Sequence, residues 1–274
     1  MSLEIAAIGD VGIYDQQVKS LAKSIPAHQI SFLALLGDNF YPTGIQNGKE
    51  WDQYLKTFGH LKVPIYPILG NHDYSGDITA QLNSPYWRMP DYYYSVIYDQ
   101  VGFWFIDTQI IDPGNPDDPN TYMNLWNPIQ YYHGSQSIKN NCQLEWLNKS
   151  LHRHRKIPHK IVFGHYPIFT SGIHGDNLKL AQELLPILTK HRVSAYVSGH
   201  DHNNQHIQRR INNEYVFNQY ITACTSHENA YPYKTKQHGS VYFSTEVAYL
   251  KITCGKQLVF RFITPQGKII YARN

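Results

Sequence analysis

Several features that would point to other kinds of protein are scarce or missing in this sequence. The 274 residues include only three cysteines, Cys142, Cys224 and Cys254, with no Cys-x-x-Cys spacing. This excludes a disulfide-rich scaffold and allows one disulfide at most. No uninterrupted apolar run approaches the roughly 20 residues that a membrane-spanning helix needs. The 24 basic and 21 acidic residues leave a net charge of +3 and are scattered, so we predict no nucleic-acid partner.

The start of the chain also has no basic and then apolar secretory leader before its first strand-like run, Ile-Ala-Ala-Ile at 5–8. We expect either that the protein stays inside the cell or that a leader has been removed. A hydrophobic share of 42% is ordinary for a globular chain. A chain of this length buries roughly three quarters of the surface that it exposes when unfolded, so it can form a core without disulfides.

Five short segments each place a glycine and then a potential metal ligand at the end of a predicted buried strand. They are Gly-Asp-Val-Gly at 9–12, Gly-Asp-Asn-Phe-Tyr at 37–41, Gly-Asn-His-Asp at 70–73, Gly-His-Tyr-Pro at 164–167 and Gly-His-Asp-His-Asn at 199–203. Buried strands that present polar residues at their ends are how an open α/β sheet builds a site. Oxygen and imidazole donors without thiolates suit iron, zinc or manganese. We therefore predict two adjacent metal ions with the central Asp38 between them, because a shared anion offsets the repulsion of two cations.

These motifs, in this order, resemble those of the calcineurin-like metallophosphoesterases. The tyrosine at position 41 resembles the purple acid phosphatases, most closely the small tartrate-resistant type, and the similarity covers nearly the whole chain. The resemblance implies a ferric ion bound by Asp10, Tyr41 and His202. It implies a divalent ion, Fe(II), zinc or manganese, bound by Asn71, His165 and His200, with Asp38 bridging the two. A phenolate ligand favours a trivalent ion, because only a strong Lewis acid displaces a proton whose pKa is about 10.

Two further histidines are candidates for catalysis. His72 and His174 match positions that face the substrate phosphate in the resembled family, and either could donate a proton to the leaving alcohol. Each could instead be a surface or supporting histidine. We expect Asp73 to form hydrogen bonds near the site, and Asp201 to orient an imidazole.

The resemblance implies a dinuclear-metal acid phosphatase that hydrolyses phosphate monoesters by attack of a metal-bound hydroxide and releases phosphate. One alternative is a metallophosphodiesterase or a nucleotide-specific hydrolase, which would share most of these ligands. Another is a non-catalytic scaffold on the same fold, although such scaffolds lose ligands and this chain keeps all seven. We also expect a monomer, and the resemblance suggests a secreted or periplasmic location.

The periodicity of the apolar residues predicts the fold. Strand-like runs alternate with helical stretches at 15–24, 142–152 and 177–191, which is a βαβ pattern. From residue 206 onward, short strands with turns predict a second, largely antiparallel sheet. Because the predicted ligands extend from Asp10 to His202 and must converge, we predict a single metallophosphoesterase domain over residues 1–274. The predicted architecture is α/β, a four-layer α-β-β-α sandwich with two mixed sheets stacked face to face and flanking helices.

One long segment, residues 112–141, has no regular pattern and is rich in proline. Loops of this length are usually functional or disordered. In the resembled phosphatases a loop in this place lies over the active site and represses it. Asp117 or Asp118 could then compete with substrate phosphate, so cleavage of the loop is expected to raise turnover. The alternative is an ordinary surface loop, whose cleavage would leave turnover unchanged.

Overall fold

The computed structural model describes residues 2–26, 29–98, 100–113, 136–223 and 233–274. The strands are β1 Leu3–Ile8, β2 Phe32–Leu36, β3 Ile65–Ile68, β4 Tyr94–Tyr98, β5 Val101–Phe105, β6 His159–Phe163, β7 Ala195–Ser198, β8 Asn204–Arg210, β9 Val216–Thr222, β10 Ser240–Ser244, β11 Tyr249–Cys254, β12 Leu258–Ile263 and β13 Ile269–Arg273. The α-helices are α1 Gln16–Ser24, α2 Glu50–Phe58, α3 Ile78–Leu82, α4 Thr108–Ile111, α5 Gln136–Arg153, α6 Leu178–Glu183 and α7 Leu185–Lys190.

The strands form two mixed sheets. The first has the order β13-β12-β11-β1-β2-β3, and the second has the order β10-β8-β9-β7-β6-β5-β4. In each sheet the site-bearing strands run parallel: β1, β2 and β3 in the first, and β5, β6, β7 and β9 in the second. The predicted α/β class with two mixed sheets and flanking helices is confirmed.

The C-terminal strands differ from the prediction of one separate antiparallel sheet. They are divided between the two sheets: β8, β9 and β10 extend the second, whereas β11, β12 and β13 extend the first. The division follows from pairing, because β9 lies parallel to β7 and β11 lies antiparallel to β1. Each group thereby covers an edge that a buried parallel sheet would otherwise leave open.

The main core lies between the two sheets. Phe32 of β2 contacts Phe103 of β5, with ring centroids 5.0 Å apart. Along β5, Phe103 and Phe105 belong to this core, while Trp104 belongs to a second cluster with the helices. The alternation follows from the two-residue period of a strand, which sends successive side chains to opposite faces. Both faces of the second sheet are therefore covered.

The helices on the outer face of the second sheet were predicted in part. Leu147 and Leu151 of α5 are fully buried, as expected, although α5 begins at Gln136 rather than Cys142. The predicted helix 177–191 is instead two short helices that meet at Leu184. Pro186 in the first turn of α7 explains the break, because proline removes a backbone donor and cannot sit inside a continuous helix.

We predict that Leu180→Ala lowers the free energy of unfolding by about 2–5 kcal/mol, because Leu180 is fully buried against the second sheet. Leu178→Ala is the matched control. It lies on the same helix but is 70% exposed, and should change stability by less than about 0.5 kcal/mol. Urea denaturation of both variants measures the difference, and equal losses would contradict the packing of α6.

Some sequence predictions fall outside the described residues. The greater part of the 112–141 segment does so, including Asp117 and Asp118, as does Cys224. Within the described part of the chain, Cys142 and Cys254 are free thiols. In that same part, no helix combines the length and the apolar character needed to cross a membrane.

Candidate metal centre

The predicted site residues follow the carboxyl ends of parallel strands. Asp10 comes after β1, Asp38 after β2 and Asn71 after β3, while His165 follows β6 and His200 follows β7. Ends of parallel strands share one edge of a sheet, and the face-to-face stacking brings the two edges together. A backbone hydrogen bond from Gly9 to Thr222, 2.9 Å long, joins the two sheets at this edge. Side chains from both sheets therefore meet at one point.

A first group of possible metal ligands surrounds the Tyr41 hydroxyl. Its oxygen lies 2.8 Å from Asp38 Oδ2 and 3.1 Å from Asp10 Oδ1. His202 Nε2 lies 2.9 Å from the same hydroxyl and 3.4 Å from Asp10 Oδ1. Asp10, Asp38 and His202 thus form a cluster whose ligand atoms all lie within 4.8 Å of one another.

A second group lies on the other side of Asp38. His165 Nε2 is 3.0 Å from Asn71 Oδ1 and 3.5 Å from Asp38 Oδ1. The ligand atoms of Asp38, His165 and His200 again lie within 4.8 Å of one another. Asp38 is the one residue common to both clusters, which is the geometry that a bridging carboxylate requires.

The loops that carry these residues are conformationally unusual. Asp10, Asp38, His200 and His202 have φ values of 60°, 52°, 71° and 49°. Positive φ is uncommon for residues other than glycine, and such positions concentrate at functional sites. Four of the seven predicted ligands are therefore held in a backbone state that the surrounding structure must enforce.

The glycines of the motifs permit close approach of the backbone to the carboxylates. A Cβ atom on Gly199 would lie 2.6 Å from Asp10 Oδ2, and one on Gly70 would collide with Asp38 Oδ1. Both glycines directly precede a predicted ligand. The recurrent Gly-ligand pattern in the sequence thus has a steric cause, and any larger residue would displace a carboxylate.

Hydrogen bonds with the backbone fix the orientation of the predicted ligands. His165 Nδ1 lies 2.7 Å from the carbonyl oxygen of Leu36, so Nδ1 carries the proton and Nε2 presents its lone pair to the centre. The amide of His72 donates to Asp38 Oδ1 at 2.9 Å, and the amide of His200 donates to Asp10 Oδ2 at 2.8 Å. Each carboxylate is thereby held from the protein side.

The pKa shifts suit cation binding. Burial alone would raise the pKa of Asp10, but the hydrogen bond and charge of His202, with the charge of His165, outweigh it and lower that pKa. Burial and the charges of neighbouring histidines push the pKa of His200 well below its usual value, so its imidazole is neutral and able to ligate. Burial and the charges of Asp10 and Asp38 raise the pKa of Tyr41 well above 10.

These residues fit two metal ions. Asp10 and Asp38 are at most 1% exposed, and buried carboxylates this close together need positive charge between them. The neutral imidazole of His200 and the oriented Nε2 of His165 add nitrogen donors. No thiolate belongs to either cluster, which agrees with a site for iron, zinc or manganese.

His72 and His174 flank the centre without belonging to either cluster. His72 is 8% exposed. Its Nδ1 is 2.6 Å from the Pro42 carbonyl oxygen, and its Nε2 is 3.9 Å from Asp38 Oδ2. The His174 side chain is 35% exposed and its ring stacks on His200 with centroids 4.2 Å apart. Both histidines are thus close enough to the centre to meet a substrate there.

A cleft of about 410 Å³ opens beside the second cluster. Its lining includes His174 and His200, together with Tyr166, Asn177 and Lys179. No sequence motif pointed to Asn177 or Lys179 as site residues, whereas Tyr166 is part of Gly-His-Tyr-Pro. The cleft offers space for a substrate group next to the centre.

Asp73 forms hydrogen bonds beside the predicted ligands, as expected. It is fully buried and accepts hydrogen bonds from the amides of Asn39, Phe40 and Gly70, and from the side chain of Gln81. Burial and the charge of Asp38 raise its pKa to about 7. Asp73 therefore ties together the loops that carry Asp38 and Asn71. Gln81 was not anticipated, because it lies on α3 outside any motif.

Comparison with known proteins gives the family. The family model described as calcineurin-like phosphoesterase matches residues 3–204. Tartrate-resistant acid phosphatase type 5 from Sus scrofa is 29% identical, over 92% of this chain and 78% of the relative.

Two solved structures share the fold. One is GAP50, the anchor in the inner membrane complex of Plasmodium, with a TM-score of 0.76 and 24% identity, covering 100% of this chain and 88% of the other. The second is the purple acid phosphatase PPD1 from yellow lupin seeds, with a TM-score of 0.70 and 15% identity, covering 99% of this chain and 53% of the other. At these identities the likeness concerns the fold alone. Together with the family match, the motifs and the two clusters that share Asp38, it leads to one conclusion: the chain belongs to the calcineurin-like phosphoesterase family and, within it, is similar to the purple acid phosphatases of the tartrate-resistant type.

Proposed function

We propose that the protein is a dinuclear-metal acid phosphatase that hydrolyses phosphate monoesters. The observation that carries the proposal is the position of Asp38, whose two carboxylate oxygens face different groups of donors. Oδ2 lies 2.8 Å from the Tyr41 hydroxyl, and Oδ1 lies 3.5 Å from His165 Nε2. A centre with one shared carboxylate is suited to two cations that act together on one phosphoryl group.

Each cluster has its own set of proposed ligands. Asp10, Tyr41 and His202 would hold Fe(III), since the phenol of Tyr41 loses its proton only to a strong Lewis acid. Asn71, His165 and His200 would hold Fe(II), zinc or manganese, and Asp38 would bridge. When bound, the two ions supply Lewis-acid activation of water and of the phosphoryl oxygens.

The protein itself contributes orientation and proton transfer. His72 holds a proton on Nδ1 through its contact with the Pro42 carbonyl, so Nε2 faces the centre. As an imidazolium, His72 can donate from Nε2 to a phosphate oxygen. His174 lies at the cleft, where the leaving group of a bound ester would extend. A histidine in that position can protonate the departing alcohol, which is typically worth about 10²–10⁴-fold in rate.

The competing functions are a metallophosphodiesterase or nucleotide-specific hydrolase and a non-catalytic scaffold, and neither has better support. The test is hydrolysis of 4-nitrophenyl phosphate against bis(4-nitrophenyl) phosphate by protein loaded with iron and zinc. A phosphomonoesterase favours the monoester by a clear margin in kcat/KM. A preference for the diester would indicate a phosphodiesterase, and no hydrolysis of either ester would favour a scaffold.

We predict that His165→Ala removes chiefly the divalent ion. His165 contacts Asn71 and Asp38 and belongs to the second cluster. The ligands proposed for iron alone, Asp10, Tyr41 and His202, therefore stay in place when His165 is replaced. Metal analysis after dialysis gives the readout. The control is His60→Ala, because His60 is exposed and lies in the turn after α2. Loss of iron alone from His165→Ala would reverse the assignment of the two sites.

Three further statements belong to the same proposal. The protein acts as a monomer, it forms one metallophosphoesterase domain over residues 1–274, and it acts outside the cytoplasm. Sedimentation and limited proteolysis test the first two. Fractionation of the native host tests the third.

A further inference from the structure

Asp201 lies between two predicted ligands, His200 and His202, but belongs to neither cluster. It is fully buried. Its Oδ1 lies 2.5 Å from Nδ1 of His174, the histidine at the cleft. A buried carboxylate persists only if hydrogen bonds compensate for lost hydration. The partners of Asp201 therefore indicate what it does.

The other oxygen of Asp201 is held by a directional chain of hydrogen bonds. The hydroxyl of Thr170 accepts from the Gly172 amide at 2.8 Å and from Gln205 Nε2 at 2.9 Å. With both acceptor positions of the hydroxyl in use, its proton is left for the contact with Asp201 Oδ2. Gly172 is required here, because a Cβ atom would collide with the same carboxylate. The chain fixes the carboxylate relative to β8.

The orientation of His174 follows from this arrangement. An ionised carboxylate can only accept, so the Asp201 contact holds a proton on His174 Nδ1. The ring is also stacked on His200 at an angle of 28°, which limits its rotation. Nε2 is then the nitrogen that can meet a substrate in the cleft.

We infer that Asp201 is a positioning residue. It fixes the direction of the His174 ring and keeps one proton on Nδ1, so that Nε2 can take a proton from solvent and pass it to the leaving oxygen. The inference rests on the proposed function. As an oxygen from water bonds to phosphorus and the P–O bond to the leaving group breaks, the electron pair of that bond stays on the leaving oxygen and the Nε2 proton passes to it. The imidazolium becomes imidazole, and the alcohol leaves neutral.

Asp201→Asn tests the inference because it reverses the hydrogen bond to His174. The Thr170 hydroxyl must donate, so it attracts the amide oxygen of the new side chain and turns the amide nitrogen toward His174. His174 Nδ1 then has to accept, so its proton moves to Nε2. The ring is left as a neutral imidazole, whose Nε2–H is a far weaker acid than the imidazolium that donates in the parent. Nitrogen-15 NMR of histidine-labelled, metal-free protein distinguishes the two tautomers. We expect Nδ1–H in the parent and Nε2–H in Asp201→Asn.

Kinetics with two leaving groups give the second readout. The alkoxide of 2-glycerol phosphate leaves poorly unless it is protonated, so Asp201→Asn should lower kcat for this ester by about 10–100-fold. The 4-nitrophenolate of 4-nitrophenyl phosphate leaves with little protonation, so kcat for that ester should fall by less than about 3-fold. His174→Ala should show the same pattern. The double variant should be within about 2-fold of His174→Ala, because the two residues act as one unit.

Asp107→Asn is the matched control. Asp107 is also a fully buried carboxylate just beyond a strand, but it accepts from Tyr74 and from the amides of Gln109 and Ile110. Asp107→Asn should leave the ratio of the kcat values for the two esters unchanged. Equal losses for both esters in Asp201→Asn, or additive losses in the double variant, would overturn the inference.

Different results would refute the phosphatase function and the role of Asp201. A metal-loaded parent that hydrolyses neither ester would overturn the proposed function. A parent with His174 in the Nε2–H tautomer would overturn the role of Asp201, and this measurement does not depend on whether Asp201→Asn folds.

Discussion

Asp38→Ala is expected to lower kcat for a phosphomonoester by more than the roughly 10²–10⁴-fold that loss of a proton donor costs. Asp38 is the residue common to both clusters. Its removal takes an anionic oxygen from each metal position at once, so both ions should be lost or displaced. His72→Ala is the comparison, since His72 flanks the centre and belongs to neither cluster.

The measurement combines steady-state kinetics with metal analysis. Asp38→Asn serves as a second variant, because it keeps the volume of the side chain and can still accept from the amide of His72. Asp77→Ala is a control for loss of a carboxylate elsewhere, as Asp77 caps α3 and accepts from Thr79 and Ala80. Equal residual activities of Asp38→Ala and His72→Ala, with both ions bound, would show that Asp38 is not the bridge.

The convergence of the predicted ligands could be expected from the sequence, because each stands in a short local motif. Each predicted ligand lies in a segment that follows a strand, and the parallel arrangement of β1, β2 and β3 brings the ends of those three strands to one edge. The glycines that precede Asn71 and His200 signal a close approach of the backbone to a carboxylate. The glycine-ligand pattern can be read from neighbouring residues alone.

Other parts depend on long-range pairing and were not predictable. The apolar alternation of β11 and β12 is the same whether they form their own sheet or extend β1, and only the pairing of Leu3 with Cys254 decides. Likewise, the contact between Asp73 and Gln81 joins a motif to a helix that shows no functional signal. The helical period of residues 177–191 also concealed the break that Pro186 produces.

Tyr41 is the proposed ligand whose assignment says most about the metal. Burial and the nearby carboxylates of Asp10 and Asp38 raise its pKa well above 10, so the phenol keeps its proton unless a cation replaces it. A trivalent ion is better able to do this than a divalent one. The position of the hydroxyl, between Asp38 Oδ2 and His202 Nε2, is where the proposed Fe(III) ligands converge.

Tyr41→Phe should therefore abolish a visible absorption band that the oxidised, iron-loaded parent displays. The resemblance to purple acid phosphatases implies that this band is a phenolate-to-iron charge transfer and gives a violet to purple colour. Phenylalanine keeps the ring but has no oxygen to ligate, while the other six predicted ligands remain. Absorption spectra of the two proteins at equal iron content give the measurement.

Tyr166→Phe is the matched control for the colour. Tyr166 is a second tyrosine beside the centre whose ring lies 4.6 Å from that of His200, and its hydroxyl bonds to Gln109 rather than to a cluster residue. Its replacement should leave the band in place. A colourless parent, oxidised and with iron bound, would remove Tyr41 from the ligand set. Loss of the band in Tyr166→Phe with the band retained in Tyr41→Phe would move the phenolate to the other cluster, because Tyr166 adjoins His165 and His200.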